Sequence, residues 1–238
     1  MIVDKMTEKE LVKELLEDFN SITRSLVKYI PMVNREVKKN RNKIPFNVMY
    51  KYVSPLKNNW LLYFRIFHKH FTKPNKCIIL NVMLHETSHG TYAYHVDLKK
   101  KVAYSKFTPH FFKRYAERFG VNLHGKELIT HFFYQNIHFP INELRDKQDM
   151  PYLVGCFDDG VGLGCITEEG NYLFKTFITY DLAKGNQILR FEALDFIRQC
   201  RLNENFHITV PPKTLPTIEK MAKRLQTEEK HKNKKSNT

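Results

Sequence analysis

CIILNVMLHETSHGTYAYHVDL, residues 77–98, decides how the chain is read. Its first eight residues are almost continuously apolar and rich in Ile and Val, which suits a strand buried on both faces. Its last eight alternate strictly: Tyr92, Tyr94, Val96 and Leu98 share one face, and Thr91, Ala93, His95 and Asp97 share the other. Thr-Ser-His-Gly between them is turn-prone, so the segment scans as an antiparallel hairpin. The same letters contain His85-Glu86-x-x-His89 with His95 six places further on, the ligand spacing of a three-histidine zinc peptidase in which Glu86 would be the general base.

The backbone requirements of that metal site argue for the hairpin. A zinc site of this kind needs its first two histidines one turn apart on a helix, and a glycine three places after the second. Tyr92 occupies that place, and Gly90 stands directly after His89. On a strand His85 and Glu86 point to opposite faces. The zinc reading, with His85, Glu86, His89 and His95 as its residues, is therefore carried as a second alternative, and the leading reading assigns no metal and no cofactor.

Outward from the hairpin, a Thr7-x-x-Glu10 capping box precedes Leu11, Leu15, Leu16, Phe19, Ile22 and Leu26 at helical spacing. Pro31 is expected to stop that helix, with a short helix around 45–53 after a basic segment. WLLYFRIF (60–67) reads as a strand. Thr108 as N-cap, Pro109 at the first helical position and Gly120 as the stop delimit a helix over 109–119. A second helix is expected over about 126–139. Runs at 152–157, 161–167 and 172–180, separated by Asp158-Asp159-Gly160 and Glu168-Glu169-Gly170-Asn171, predict a meander. A further helix over about 187–202 precedes a basic tail, in which 230–235 reads KHKNKK.

The fold class expected is α+β: an antiparallel sheet of about five or six strands with helices packed on it, preceded by N-terminal helices. The organisation expected is an N-terminal helical region (1–58), an α+β core (59–206) and a charged, partly disordered C-terminal segment (207–238).

A net charge of +14, from 39 Lys+Arg against 25 Asp+Glu, favours a polyanionic partner, and nucleic acid is the commonest for a basic protein. Lys99, Lys100, Lys101 and Lys113 are the candidate phosphate contacts. No apolar run approaches the ~18 residues of a membrane span, and the N-terminus carries no signal-peptide pattern. Both point to a cytoplasmic chain with no membrane partner. The four cysteines (Cys77, Cys156, Cys165, Cys200) show no Cys-x-x-Cys pair and read as reduced, buried thiols.

PHFFKRYAERF (109–119) places His110, Arg114 and Arg118 at successive turns, away from an aromatic stripe. One imidazole beside two guanidinium groups is what metal-independent RNA cleavage needs: the arginines neutralise the phosphate, and the histidine moves a proton. The order His110-x-x-x-Arg114-x-x-Glu117-Arg118 on one helix, a second helix, then an antiparallel meander, resembles toxin-type ribonucleases of the RelE/BrnT-like group, over roughly 105–180. The resemblance implies RNA as substrate, a protein antitoxin as partner and a role of the toxin or phage-defence kind. It makes His110 the proton-transfer residue, Arg114 and Arg118 phosphate contacts, and Lys175 and Thr176 auxiliary polar groups. The chain departs from the group in its length, its N-terminal helices and its extra hairpin. The alternative function is nucleic-acid binding without catalysis.

Overall fold

The computed structural model describes residues 2–182, apart from 4, 73–75, 97–103 and 146–149. The expected helix over 187–202, Cys200, the tail 207–238 and Lys99, Lys100 and Lys101 lie outside the described residues. Helix α1 (Glu8–Lys39) opens on the capping box: Glu10 N donates to the Thr7 hydroxyl at 3.4 Å, and Thr7 N donates to the Glu10 carboxylate at 2.8 Å. Pro31 does not stop it. The missing N–H frees only the Val27 carbonyl, on a residue 68% exposed and so accessible to solvent. Val33 and Val37, fully or nearly buried, anchor the turns beyond, and the helix ends at Asn40.

Nine strands form one sheet, in the order β1-β2-β3-β4-β5-β9-β8-β7-β6. They are β1 (Phe46–Val53), β2 (Asn59–Ile66), β3 (Cys77–Thr87), β4 (Gly90–His95), β5 (Ser105–Phe107), β6 (Ile141–Arg145), β7 (Pro151–Cys156), β8 (Gly160–Ile166) and β9 (Tyr172–Thr179). Every pairing is antiparallel except β5 with β9, so the sheet is mixed. The expectation of five or six strands is corrected by three additions. The segment 46–53, read as a helix, is a full strand: Phe46, Val48, Tyr50 and Tyr52 alternate onto one core, and all eight residues pair with β2. Strand β5 has three residues, too few to carry a periodic signal, and β6 (INELR) is polar because it closes the edge of the described sheet.

The sheet separates two apolar layers. On one face α1 presses Leu15, Ile22, Val33 and Val37 against Trp60, Leu62, Phe64, Met83 and Tyr94. The opposite face carries α2 (Pro109–Phe119) and α3 (Gly125–Gln135), over Leu61, Tyr63, Val82, Ala93 and Phe107. The two middle helices thus share one face. Their cluster is built largely of phenylalanine: Phe107, Phe111, Phe132, Phe133, Phe157, Phe174 and Phe177 are all fully buried. Strands β7 and β8 make room with glycines. A Cβ at Gly162 would stand 2.8 Å from Phe157 and 2.9 Å from Phe111. A register shift opposite Leu163 and Gly164 leaves Lys175 as the additional residue on β9, so Phe174 and Phe177 both enter this layer. Among the described residues no helix is long and apolar enough to cross a membrane.

Candidate functional site on α2

Helix α2 starts where the sequence signals place it. The Thr108 hydroxyl accepts from Phe111 N at 3.2 Å, and Gly120 ends the helix in the left-handed region at φ 62°. Thr108 is also pinned to β9, its N–H donating to the Phe174 carbonyl at 3.1 Å and its hydroxyl to the Lys175 carbonyl at 3.4 Å. The stripe Phe111, Phe112 and Tyr115 then faces the sheet, which turns His110, Lys113, Arg114 and Glu117 to solvent.

Three of these form a chain of contacts. Arg114 Nε donates to His110 Nε2 at 3.3 Å, and Arg114 Nη1 donates to the Glu117 carboxylate at 2.9 Å. Lys113 Nζ lies 4.0 Å from the other Glu117 oxygen. Arginine can only donate, so this contact uses the Nε2 lone pair of His110. The imidazole is thus a proton acceptor beside a guanidinium. Exposed ion pairs of this kind contribute little to stability, so the arginine can exchange partners at small cost.

The remaining predicted residues divide. Residues at i, i+4 and i+8 drift around a helix by about 40° per step. Arg118 accordingly turns toward the aromatic side; it is half-buried, and its Nη1 is buried without a hydrogen-bond partner among the described residues. Lys175 is exposed on the β9 bulge, beside the start of α2. Thr176 pairs with Leu163, and both belong to the face opposite α2, the face on which Val161 and Ile178 pack. The structure therefore joins His110 to Arg114 and links Lys113 through Glu117, and it separates Thr176 from them. One turn further on, the Tyr115 hydroxyl lies 3.5 Å from the Asp159 carboxylate, and burial, then that charge, pushes it up to about 12.

The hairpin histidines are dispersed. His85 pairs with Tyr92 on the α1 face, its ring 6.4 Å from Tyr94, whereas Glu86 points the other way and pairs with Lys126 of α3. His89 is exposed in the two-residue turn. His95 lies on the opposite face, that of α2 and α3, its Nδ1 2.9 Å from the Asn81 carbonyl and its ring 5.8 Å from Phe139. Among the described residues no three His, Cys, Asp or Glu side chains gather as a metal ion needs. Of the cysteines, Cys156 is buried while Cys77 and Cys165 are half-buried, and all three are free thiols. Burial pushes the Cys77 thiol up to about 12.

The sequence reading missed a groove of about 640 Å³ between α2 and α3. Phe112, Ala116, Leu128 and Ile129 floor it, and Lys113, Glu117 and His124 stand among its lining. Gly90 at the hairpin tip also lines the groove. It adopts φ 116°, and a Cβ there would lie 2.9 Å from the Pro109 Cβ. The available signal was the pair Gly120 and Gly125, both at positive φ, bracketing the helix–helix turn.

No family model, curated protein or solved structure matches the chain.

Proposed function

We propose that the protein binds RNA along the exposed flank of α2 and cleaves it without a metal, with His110 as base and Arg114 as the phosphate contact. The observation that carries this reading is the hydrogen bond from Arg114 Nε to His110 Nε2, which places an accepting imidazole against a guanidinium on an exposed surface. An incoming phosphate draws Arg114 into a charge-assisted pair and frees Nε2. His110 then takes the proton of the ribose 2′-hydroxyl, the 2′-oxygen attacks phosphorus, and the 5′-oxygen leaves with a proton from water. The products are a 2′,3′-cyclic phosphate and a 5′-hydroxyl. Lys113 and Lys175 lengthen the cationic track, and the surplus charge of the chain draws the strand in. A cytoplasmic site of action and a protein antitoxin accompany this reading.

Binding without cleavage is the second reading. It is favoured by the Arg114–Glu117 ion pair, which an ordinary solvated helix also makes. Incubation of the full chain with end-labelled RNA in EDTA separates the two. The first reading expects cyclic-phosphate products, lost by about 100-fold or more in His110→Ala, and no cleavage of strands with 2′-deoxyribose at the cut site. Binding with intact RNA leaves only the second reading, and absence of binding removes both.

A further inference from the structure

The groove between α2 and α3 shares its lip with the His110–Arg114 flank. Lys113 and Glu117 line the groove, and Glu117 is also the residue that holds Arg114 at 2.9 Å. The floor is apolar and packed into the core: Phe112 is 2%, Ile129 1% and Leu128 5% exposed. Its lining includes two stretches of backbone that only glycine tolerates at no cost, Gly90 beside Pro109 and Gly120 at φ 62°. At Gly120 a Cβ would meet nothing within 4 Å, so the space beside this residue is open. The groove is thus of ligand size, with an apolar floor and a few polar groups among its lining.

Resting on the RNA reading of α2, we propose that this groove is the base-binding subsite of the same surface. It takes the nucleobase of a single-stranded RNA nucleotide adjacent to the phosphate on Arg114. A base has two flat apolar faces and a polar edge; the floor suits the face, and the Glu117 carboxylate accepts N–H donors from the edge. Lys113 (side chain 73% exposed) holds the phosphate of the bound nucleotide. Lys113 is then a sequence-independent contact, and Glu117 a discriminating one.

The test is titration of the full chain with each of the four ribonucleoside 5′-monophosphates, with ribose 5-phosphate and inorganic phosphate as probes lacking a base. Methyl NMR signals of Leu128 and Ile129 report the site. The groove subsite expects at least one nucleotide to shift these methyls and to bind ten-fold or more tightly than ribose 5-phosphate. Ala116→Phe, which fills the floor, removes the shifts. Where that variant fails to fold, the surface changes carry the test: Lys113→Ala weakens all four nucleotides by a similar factor, and Glu117→Gln reorders their ranking. Nucleotides that bind no better than ribose 5-phosphate, or that shift only methyls away from the groove, overturn the subsite. RNA that binds the wild type and Ala116→Phe equally also overturns it and leaves the RNA reading standing. Nucleotide binding in the groove without any RNA binding keeps the groove as a nucleotide site and removes the RNA reading.

Discussion

Two histidine segments, one on the β3–β4 hairpin and one on α2, use the same sequence spacing and reach opposite outcomes. His85 and His89 are four residues apart, as are His110 and Arg114. On α2 that spacing brings the side chains to 3.3 Å; on the hairpin it leaves one on the α1 face and the other at the turn. Spacing alone therefore carries no chemistry. The period of the backbone beneath it decides which groups meet, and Gly90 and the alternation of 91–95 set that period at two.

The largest effects test what holds α2 in place. Phe111→Ala removes a fully buried ring from the phenylalanine cluster and is expected to cost about 3–5 kcal/mol in urea denaturation. His89→Ala, at the exposed turn, is expected to stay within about 0.5 kcal/mol. Equal costs would mean that the ring cluster does not anchor the helix.

Next in size are the glycines. Gly90→Ala meets both a φ of 116° and the Pro109 ring, and is expected to lose about 2–3 kcal/mol. Gly120→Ala meets only a φ of 62° with open space around it, and about 1 kcal/mol is expected. Thermal melts of the two variants order them. The reverse order would show that the hairpin tip does not press on α2.

How much of this was legible follows from the same physics. The hairpin, the limits of α2 and the meander carried strong local signals: a two-residue turn, a cap with proline and glycine at the two ends, and acidic-glycine turns. Pro31 misled because its cost depends on where the freed Val27 carbonyl points, a tertiary fact. The segment 46–53 misled because Pro45 imitates a helix start, although Phe46, Val48, Tyr50 and Tyr52 alternate. For the site, the His110–Arg114 pair was visible as helical spacing. The placement of Thr176 was not, since the Lys175 bulge shifts every later residue of β9 to the other face. The groove lies between two helices, and its one sequence trace is the pair Gly120 and Gly125 around the turn that joins them.

A smaller effect separates α1 from α2 by pH. Burial alone would raise the Glu8 carboxyl, but hydrogen bonds with Tyr104, Asn171, Glu169 and Thr167 together hold it below the ordinary carboxylate range. A carboxyl depressed in the folded state stabilises above its unfolded value near 4.5, and that contribution disappears as pH falls through the folded value. Glu8→Gln is therefore expected to be less stable than wild type at neutral pH, and the two stability curves to converge in acid. Parallel curves would show that Glu8 does not fasten the start of α1 to the β8–β9 turn.

The smallest expectation is no change at all. With His85 and His95 on opposite faces, added zinc is expected to leave the melting temperature unchanged. A zinc-dependent rise that His85→Ala abolishes would place the hairpin histidines together after all.

The central claim, that the exposed flank of α2 is the RNA-binding face, is tested most directly by the affinity of fluorescently labelled single-stranded RNA for the wild type and for Lys113→Glu/Arg114→Glu, measured across a salt series. Binding by the double variant is expected to be at least ten-fold weaker at low salt, with the slope of log affinity against log salt shallower by about two. Equal affinities and equal slopes would contradict it.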